Sequence, residues 1–174
     1  MIIREAIGND AAPIARVHVD SWRTSYRDIL PADFLAQLSY ERSEQRWRER
    51  LCADKPTAFV YVAEDAGEIV GFASGGAARS DNPPYAGELY AIYLLESYQR
   101  RGIGKQLFDA IVARLRRDGM RSMLLWALEQ NAARGFYEHL GGKFVRTQPI
   151  TIGATTLTEV AYGWENLRSV KRKT

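Results

Sequence analysis

The chain has 174 residues, 46% of them hydrophobic and 26% charged, the make-up of one soluble globular domain whose core can bury roughly 70% of the unfolded chain's surface. The formal net charge of +3 is no more than the Lys171-Arg172-Lys173 run supplies, so neither nucleic acid nor a membrane is an expected partner. A single cysteine, Cys52, excludes an internal disulfide, and with only two histidines the common zinc sites are excluded too; no metal is expected.

The opening "MIIREAIGND" lacks the apolar stretch of a signal peptide, and no apolar run approaches the ~20 residues of a membrane span, so a cytoplasmic location is expected. "IIREA" reads as a first strand. Asp10 can cap the helix that follows, with Pro13 in its first turn and Ile14, Val17, Trp22 and Tyr26 near one face. Pro31 opens a second helical piece with Phe34, Leu35 and Leu38 inward. The charged helix "YERSEQRWRERL" turns Trp47 and Leu51 to its apolar face, and Cys52 is read as a small apolar residue on a helix.

From Thr57 the period shortens. "TAFVYVAED" and "EIVGFASGGA" are strand-like runs joined at Ala66-Gly67, a hairpin signal. "RSDNPPYAG" (79–87) is a loop. "ELYAIYLL" is a strand, and "GIGKQLFDAIVARLRRDG" is a helix with Ile103, Leu107, Phe108, Ile111 and Leu115 on one face, ended by Gly119. "RSMLLWALE" is a buried strand and "NAARGFYEHLGG" a short helix. "KFVRTQPITIGATTLTEVAYGW" gives two strands around Gly153-Ala154. The order is β, helices, ββ, β-α-β, α, ββ, with a crossover between Glu88 and Glu129. This is a mixed α/β (α+β) domain over 1–168, followed by a basic tail at 169–174.

The turn "QRRGIG", Gln99 to Gly104, lies between a strand and a helix. It lacks the third glycine of a dinucleotide fingerprint, since position 107 is Leu, and the Gly-Lys-Ser/Thr of a P-loop, since Gln106 follows Lys105. Bare backbone at Gly102 and Gly104, a helix N-terminus, and the charges of Arg100, Arg101 and Lys105 all favour an anion. A tight strand-to-helix turn with solvated arginines accounts for the same residues.

"LYAIYLLESYQRRGIGKQLFDAIV" resembles motif A of the GNAT superfamily of acyl-CoA N-acyltransferases, whose hallmark is Gln/Arg-x-x-Gly-x-Gly/Ala. "NAARGFYEHLGG" is similar to that family's motif B, and "SWRTSYRDILP" to its early helical region. The departures are Glu96, where a proline often stands, and Gly141-Gly142, where Gly-Phe is common. The resemblance implies a central, mostly antiparallel mixed sheet of about six to seven strands, with a parallel splayed pair and helices on both faces. It also implies an N-acetyltransferase that moves an acetyl group from acetyl-CoA to a primary amine by direct attack, without a covalent intermediate; Cys52 is remote from both motifs.

On the same resemblance, Gln99, Arg100, Arg101, Gly102, Ile103, Gly104 and Lys105 take the pyrophosphate. The backbone of Ile92, Tyr93 and Leu94 pairs with the pantetheine arm. Asn131 bonds that arm or caps its helix, and Arg134 reaches a phosphate or solvent. Glu88, eleven residues before Gln99, is the implied base, ahead of Glu64 and Glu129, and the bland alternative is a strand-edge carboxylate. Tyr137 is the implied acid near the sulfur, or else a packed aromatic. Trp22, Tyr26, Tyr85 and Tyr90 are candidates to line the acceptor cleft. A small-molecule acceptor is favoured and a homodimer is plausible. The competing readings are a non-catalytic acyl-CoA-binding or sensor module and a plain nucleotide-binding protein.

Overall fold

Strand-forming runs alternate with amphipathic helices, and burying both sets of apolar faces makes a three-layer arrangement. The computed structural model describes residues 1–54, 56–79 and 85–170. The basic run at 171–173 and the centre of the loop expected at 79–87 lie outside the described residues. Seven strands form: β1 (Ile2–Glu5), β2 (Ala58–Asp65), β3 (Glu68–Ala77), β4 (Gly87–Leu94), β5 (Met123–Leu128), β6 (Lys143–Ile152) and β7 (Thr155–Trp164). They make one sheet in the order β1-β2-β3-β4-β5-β7-β6. Every neighbouring pair is antiparallel except β4 and β5.

The β2–β3 hairpin turns at Ala66 and Gly67, both at positive φ (51° and 86°), the pair of left-handed residues that a two-residue hairpin favours. β5 runs "MLLWAL" with little exposed on either face, as a central strand must.

The helices are α1 (Ala11–Ser25), α2 (Ala32–Ala36), α3 (Tyr40–Leu51), α4 (Ile103–Arg117) and α5 (Arg134–His139). On one face Ile14 and Val17 of α1 and Trp47 of α3 pack on Val60, Val62 and Phe72. On the other, Leu107, Phe108, Ile111 and Leu115 of α4 and Tyr137 of α5 pack on Val70, Ala73, Leu89, Met123 and Leu125. These are the α4 positions that the helical spacing turned inward. The mixed sheet with helices on both faces is thus the fold expected.

Two local expectations fail for physical reasons. Asp10 precedes α1 but does not cap it. Its carboxylate accepts two guanidinium N–H bonds from Arg4 (2.7 and 2.9 Å) and the Ile7 amide (2.8 Å), and charge-assisted bonds outcompete a neutral cap. Cys52 is not an apolar helix residue; it follows the last residue of α3 and is exposed.

Candidate active site

β4 and β5 share only three rungs, Gly87–Met123, Glu88–Leu124 and Leu89–Leu125. Across β3, Ser74 faces Ala91 while Gly75 faces Leu89, which leaves Tyr90 as an extra residue in β4. A bulge bends its strand and increases the local twist. The parallel ladder stops one residue before this bulge, so 90–94 of β4 diverge from 126–128 of β5. β5 itself stays paired to β7 through Leu128.

Backbone direction in the diverging stretch follows from its neighbours. Leu95 N donates to Val70 O of β3 (3.0 Å), and the Tyr93 carbonyl lies 3.0 Å from where a Cβ on Gly71 would stand. Alternation therefore turns the peptide groups of Tyr93 to β3 and those of Ile92 and Leu94 to the gap. There the Leu94 carbonyl accepts from Ser21 Oγ (3.1 Å) and Gln99 Nε2 (3.3 Å). Of the three strand residues singled out by sequence, Ile92 and Leu94 offer backbone to the gap and Tyr93 a side chain.

The glycine turn enters α4 beside this gap. Arg100 (φ 59°) and Gly102 (φ 80°) are both left-handed, and the amides of residues 100–105 donate to no described residue. Left-handed residues in such a turn form an anion-binding nest, which here runs into a helix N-terminus. The two glycines serve different ends. A Cβ on Gly102 would meet nothing within 4 Å, so that glycine is there for its φ. A Cβ on Gly104 would stand 3.3 Å from the Phe136 ring and 3.4 Å from a Leu94 methyl, so that one is there for close packing. Ile103 is buried and anchors the turn. Lys105 pairs with Asp109, Arg101 stacks over Tyr98 (5.1 Å), and Arg100 makes no ion pair with a described residue.

Aromatic side chains from both layers meet at the gap. The Tyr26 and Tyr93 hydroxyls are 3.0 Å apart, and Asn131 Nδ2 donates to Tyr26 at 3.5 Å. Asn131 Oδ1 accepts the Ala133 amide (2.8 Å), so this residue also caps the turn before α5. Burial raises the pKa of Tyr26, Tyr93 and Tyr137. Tyr26 lies close enough to add to the last two shifts, although α1 and α5 cover opposite faces of the sheet. Tyr137 is buried and its hydroxyl bonds no described residue. Trp22 Nε1 is buried beside the Tyr93 phenol but outside hydrogen-bond geometry.

Sequence reasoning missed His18, which contacts Trp22, Trp47, Phe72 and Tyr93. Its Nδ1 accepts from Trp47 Nε1 (3.3 Å). Burial, with help from Arg46 and Arg50, lowers its pKa to about 4. The spacing of His18, Trp22 and Tyr26 by four was the available signal.

Glu88 sits on the last rungs before the gap, 2% exposed. It is held by Arg79, a partner nothing in the sequence marks. Glu64 pairs with Arg4 at the β1–β2 edge (2.7 Å) and Glu129 is exposed. Arg134 commits Nε to the Tyr162 hydroxyl (2.9 Å) and Nη1 to the Glu129 carbonyl (2.8 Å), which braces α5 and leaves Nη2 facing no described partner. Tyr90 bonds the Ala77 carbonyl, and Tyr85 covers Gly163 of β7. A surface cleft of about 530 Å³ lined by Arg4, Asp10, Pro13 and Arg16 shares no residue with the gap. Among the described residues no His, Cys, Asp and Glu group could hold a metal, and no helix is long and apolar enough to cross a membrane.

Residues 19–142 match the family model of the acetyltransferase (GNAT) family. The chain is 42% identical over 170 residues to the uncharacterized N-acetyltransferase YuaI of Bacillus subtilis, covering 97% of this chain and 95% of that one. Its fold is similar to that of the PaiA N-acetyltransferase of Thermoplasma acidophilum, solved with coenzyme A (TM-score 0.76, 19% identity, 93% and 96% of the two chains). It is also similar to the putative acetyltransferase YncA of Salmonella typhimurium, solved with acetyl-CoA (TM-score 0.70, 20% identity, 100% and 98%).

Proposed function

The chain belongs to the GNAT family of acetyltransferases and is an N-acetyltransferase, and on that premise we propose that it passes the acetyl group of acetyl-CoA directly to the primary amine of a small molecule. The observation that carries this reading is the parting of β4 and β5 at the Tyr90 bulge, directly beside a turn whose amides are free. A pyrophosphate suits that turn, because its amides donate to no described residue and Gly102 adds no side chain to it. An extended pantetheine arm fits the gap, because Ile92 turns its peptide groups into it and Leu94 its amide, the Leu94 carbonyl being held by Ser21 and Gln99. The solved relatives with coenzyme A and acetyl-CoA support the same donor.

In this reading the amides of residues 100–105 hold the diphosphate while Gln99 ties the turn to Leu94. Arg100, Arg101, Lys105 and Nη2 of Arg134 add charge around it. An amide on the gap side of β4 polarises the thioester carbonyl, and Asn131 steadies the arm. Because a lysine-like amine has a pKa of ~10.4 and is almost wholly protonated at neutral pH, Glu88 takes the ammonium proton. Tyr137 keeps its own proton, since burial raises its pKa, and donates a hydrogen bond to the departing sulfur. Cys52 is exposed at the end of α3, away from the gap, and plays no part.

The test is release of coenzyme A thiol from acetyl-CoA with a panel of low-molecular-weight amines and a lysine-containing peptide. Direct transfer predicts amine-dependent release and intersecting lines in a two-substrate kinetic analysis. Parallel lines would contradict direct attack, and turnover with the peptide alone would contradict a small acceptor.

A further inference from the structure

The Glu88–Arg79 pair is asymmetric. The Glu88 side chain is 3% exposed and that of Arg79 is 62% exposed. Glu88 Oε1 accepts from Arg79 Nε (3.0 Å) and Nη2, and Oε2 accepts from the Arg79 backbone amide (2.9 Å). The guanidinium therefore covers the carboxylate on its solvent side. It is stacked 4.2 Å above the Tyr90 ring. Glu159 and Arg50 are its other charged neighbours. Arg50 stacks on Trp47 (4.9 Å) but has no ion-pair partner among the described residues.

An ammonium cannot reach Oε1 while the guanidinium occupies it. Simply removing the guanidinium would leave Glu88 as an unpaired buried charge, which is strongly unfavourable. Exchange avoids both problems. We propose that the acceptor is an amine that also carries an anionic group, of the class of an amino acid, and that Arg79 receives this group. The substrate carboxylate draws the guanidinium away from Glu88, and the substrate ammonium takes its place at Oε1. Every charge changes partner and none is left alone. The planar fork of arginine suits a carboxylate, and Arg50 is a second guanidinium among the charged neighbours of Arg79. The Arg79 amide stays on Oε2 and keeps Glu88 oriented.

The inference rests on the gap being the acetyl-transfer site. One ammonium proton passes to Glu88 Oε1. The nitrogen lone pair forms the N–C bond, the C–S bond breaks, and the sulfur leaves with the electron pair. The second proton lost by nitrogen ends on the sulfur, and Glu88 returns its own to solvent. Amide, thiol and one released proton balance the ammonium and the thioester.

The experiment compares kcat/KM for the standard L-amino acids with that for their decarboxylated amines, in wild type, Arg79→Gln and Arg79→Lys. Acetyl-CoA calorimetry on each variant checks that it is folded. The expected result is at least one amino acid preferred over its amine by ~100-fold or more, as in sites built around a polar substrate group. The preference collapses to within a few-fold in Arg79→Gln and is partly restored in Arg79→Lys. Equal use of both sets by wild type, or a preference that survives in Arg79→Gln, would overturn it. Thiol release with amines alone overturns this inference and leaves the transfer site standing; no release with either set overturns both.

Discussion

Tyr137→Phe removes one hydroxyl and little else. The side chain is 7% exposed, and its ring sits 5.4 Å from Phe136 and 6.2 Å from Tyr162, contacts that phenylalanine keeps. No described residue loses a hydrogen-bond partner. Folding stability should therefore stay within ~1 kcal/mol of wild type, because no hydrogen bond among the described residues is lost. Activity should fall. A thiol titrates near ~8.5 and an ordinary tyrosine near ~10, so proton transfer to the leaving thiolate is already uphill by about 2 kcal/mol. Burial raises the Tyr137 pKa further, which leaves hydrogen-bond donation to the sulfur as its contribution. A hydrogen bond to a charged atom is worth ~1.5–3 kcal/mol, or ~10–150-fold in kcat. Thiol release at saturating substrates gives kcat, and urea unfolding gives stability. A kcat within about 2-fold of wild type, with stability unchanged, would make Tyr137 a packed aromatic and refute the reasoning.

Gly102→Ala should destabilise by the ~1–2 kcal/mol of a left-handed alanine in urea unfolding. Gly104→Ala should cost less, because the ~1 kcal/mol that alanine gains inside α4 offsets the cost of the Phe136 ring at 3.3 Å giving way by a few tenths of an ångström; a larger loss at Gly104 would contradict this. His18 makes stability depend on pH. Its pKa falls from 6.5 to about 4 in the folded state, so stability is full above the unfolded value. It drops by up to ~3 kcal/mol as pH falls from 6.5 toward 4, where the unfolded chain takes the proton first. Urea midpoints followed by tryptophan fluorescence across that window should show the drop, and His18→Asn should flatten it.

What could be read from the sequence is what short segments encode. The QRRGIG turn, the inward face of α4 and the Ala66-Gly67 hairpin depend on residues a few positions apart, and all three form. The meeting of Tyr26, Tyr93 and Asn131 was not legible in this way. It requires a bulge at Tyr90, which no local preference announces, and a gap through which α1 and α5 approach from opposite faces. The resemblance supplied the gap and nominated Tyr26, Tyr93 and Tyr137 for it, but not the contact between the Tyr26 and Tyr93 hydroxyls or the place of His18 beside Tyr93. Arg79 was hidden for a related reason: its pairing with Glu88 is made across a loop, and an arginine in a loop reads as solvated. Asp10 shows the limit of local rules, since its cap was displaced by Arg4, a stronger partner on the neighbouring strand.

Calorimetric titration of acetyl-CoA into wild type and Gly102→Glu addresses the site itself, before any acceptor is known. The substituted side chain enters open space and the added strain is ~1–2 kcal/mol, so the variant folds, but it adds a negative charge to the turn whose amides at residues 100–105 donate to no described residue. Binding on the order of micromolar in wild type, lost in Gly102→Glu, is the expected result. Equal binding in both proteins, or none in wild type at millimolar acetyl-CoA, would contradict the assignment of this turn and gap to the acyl donor.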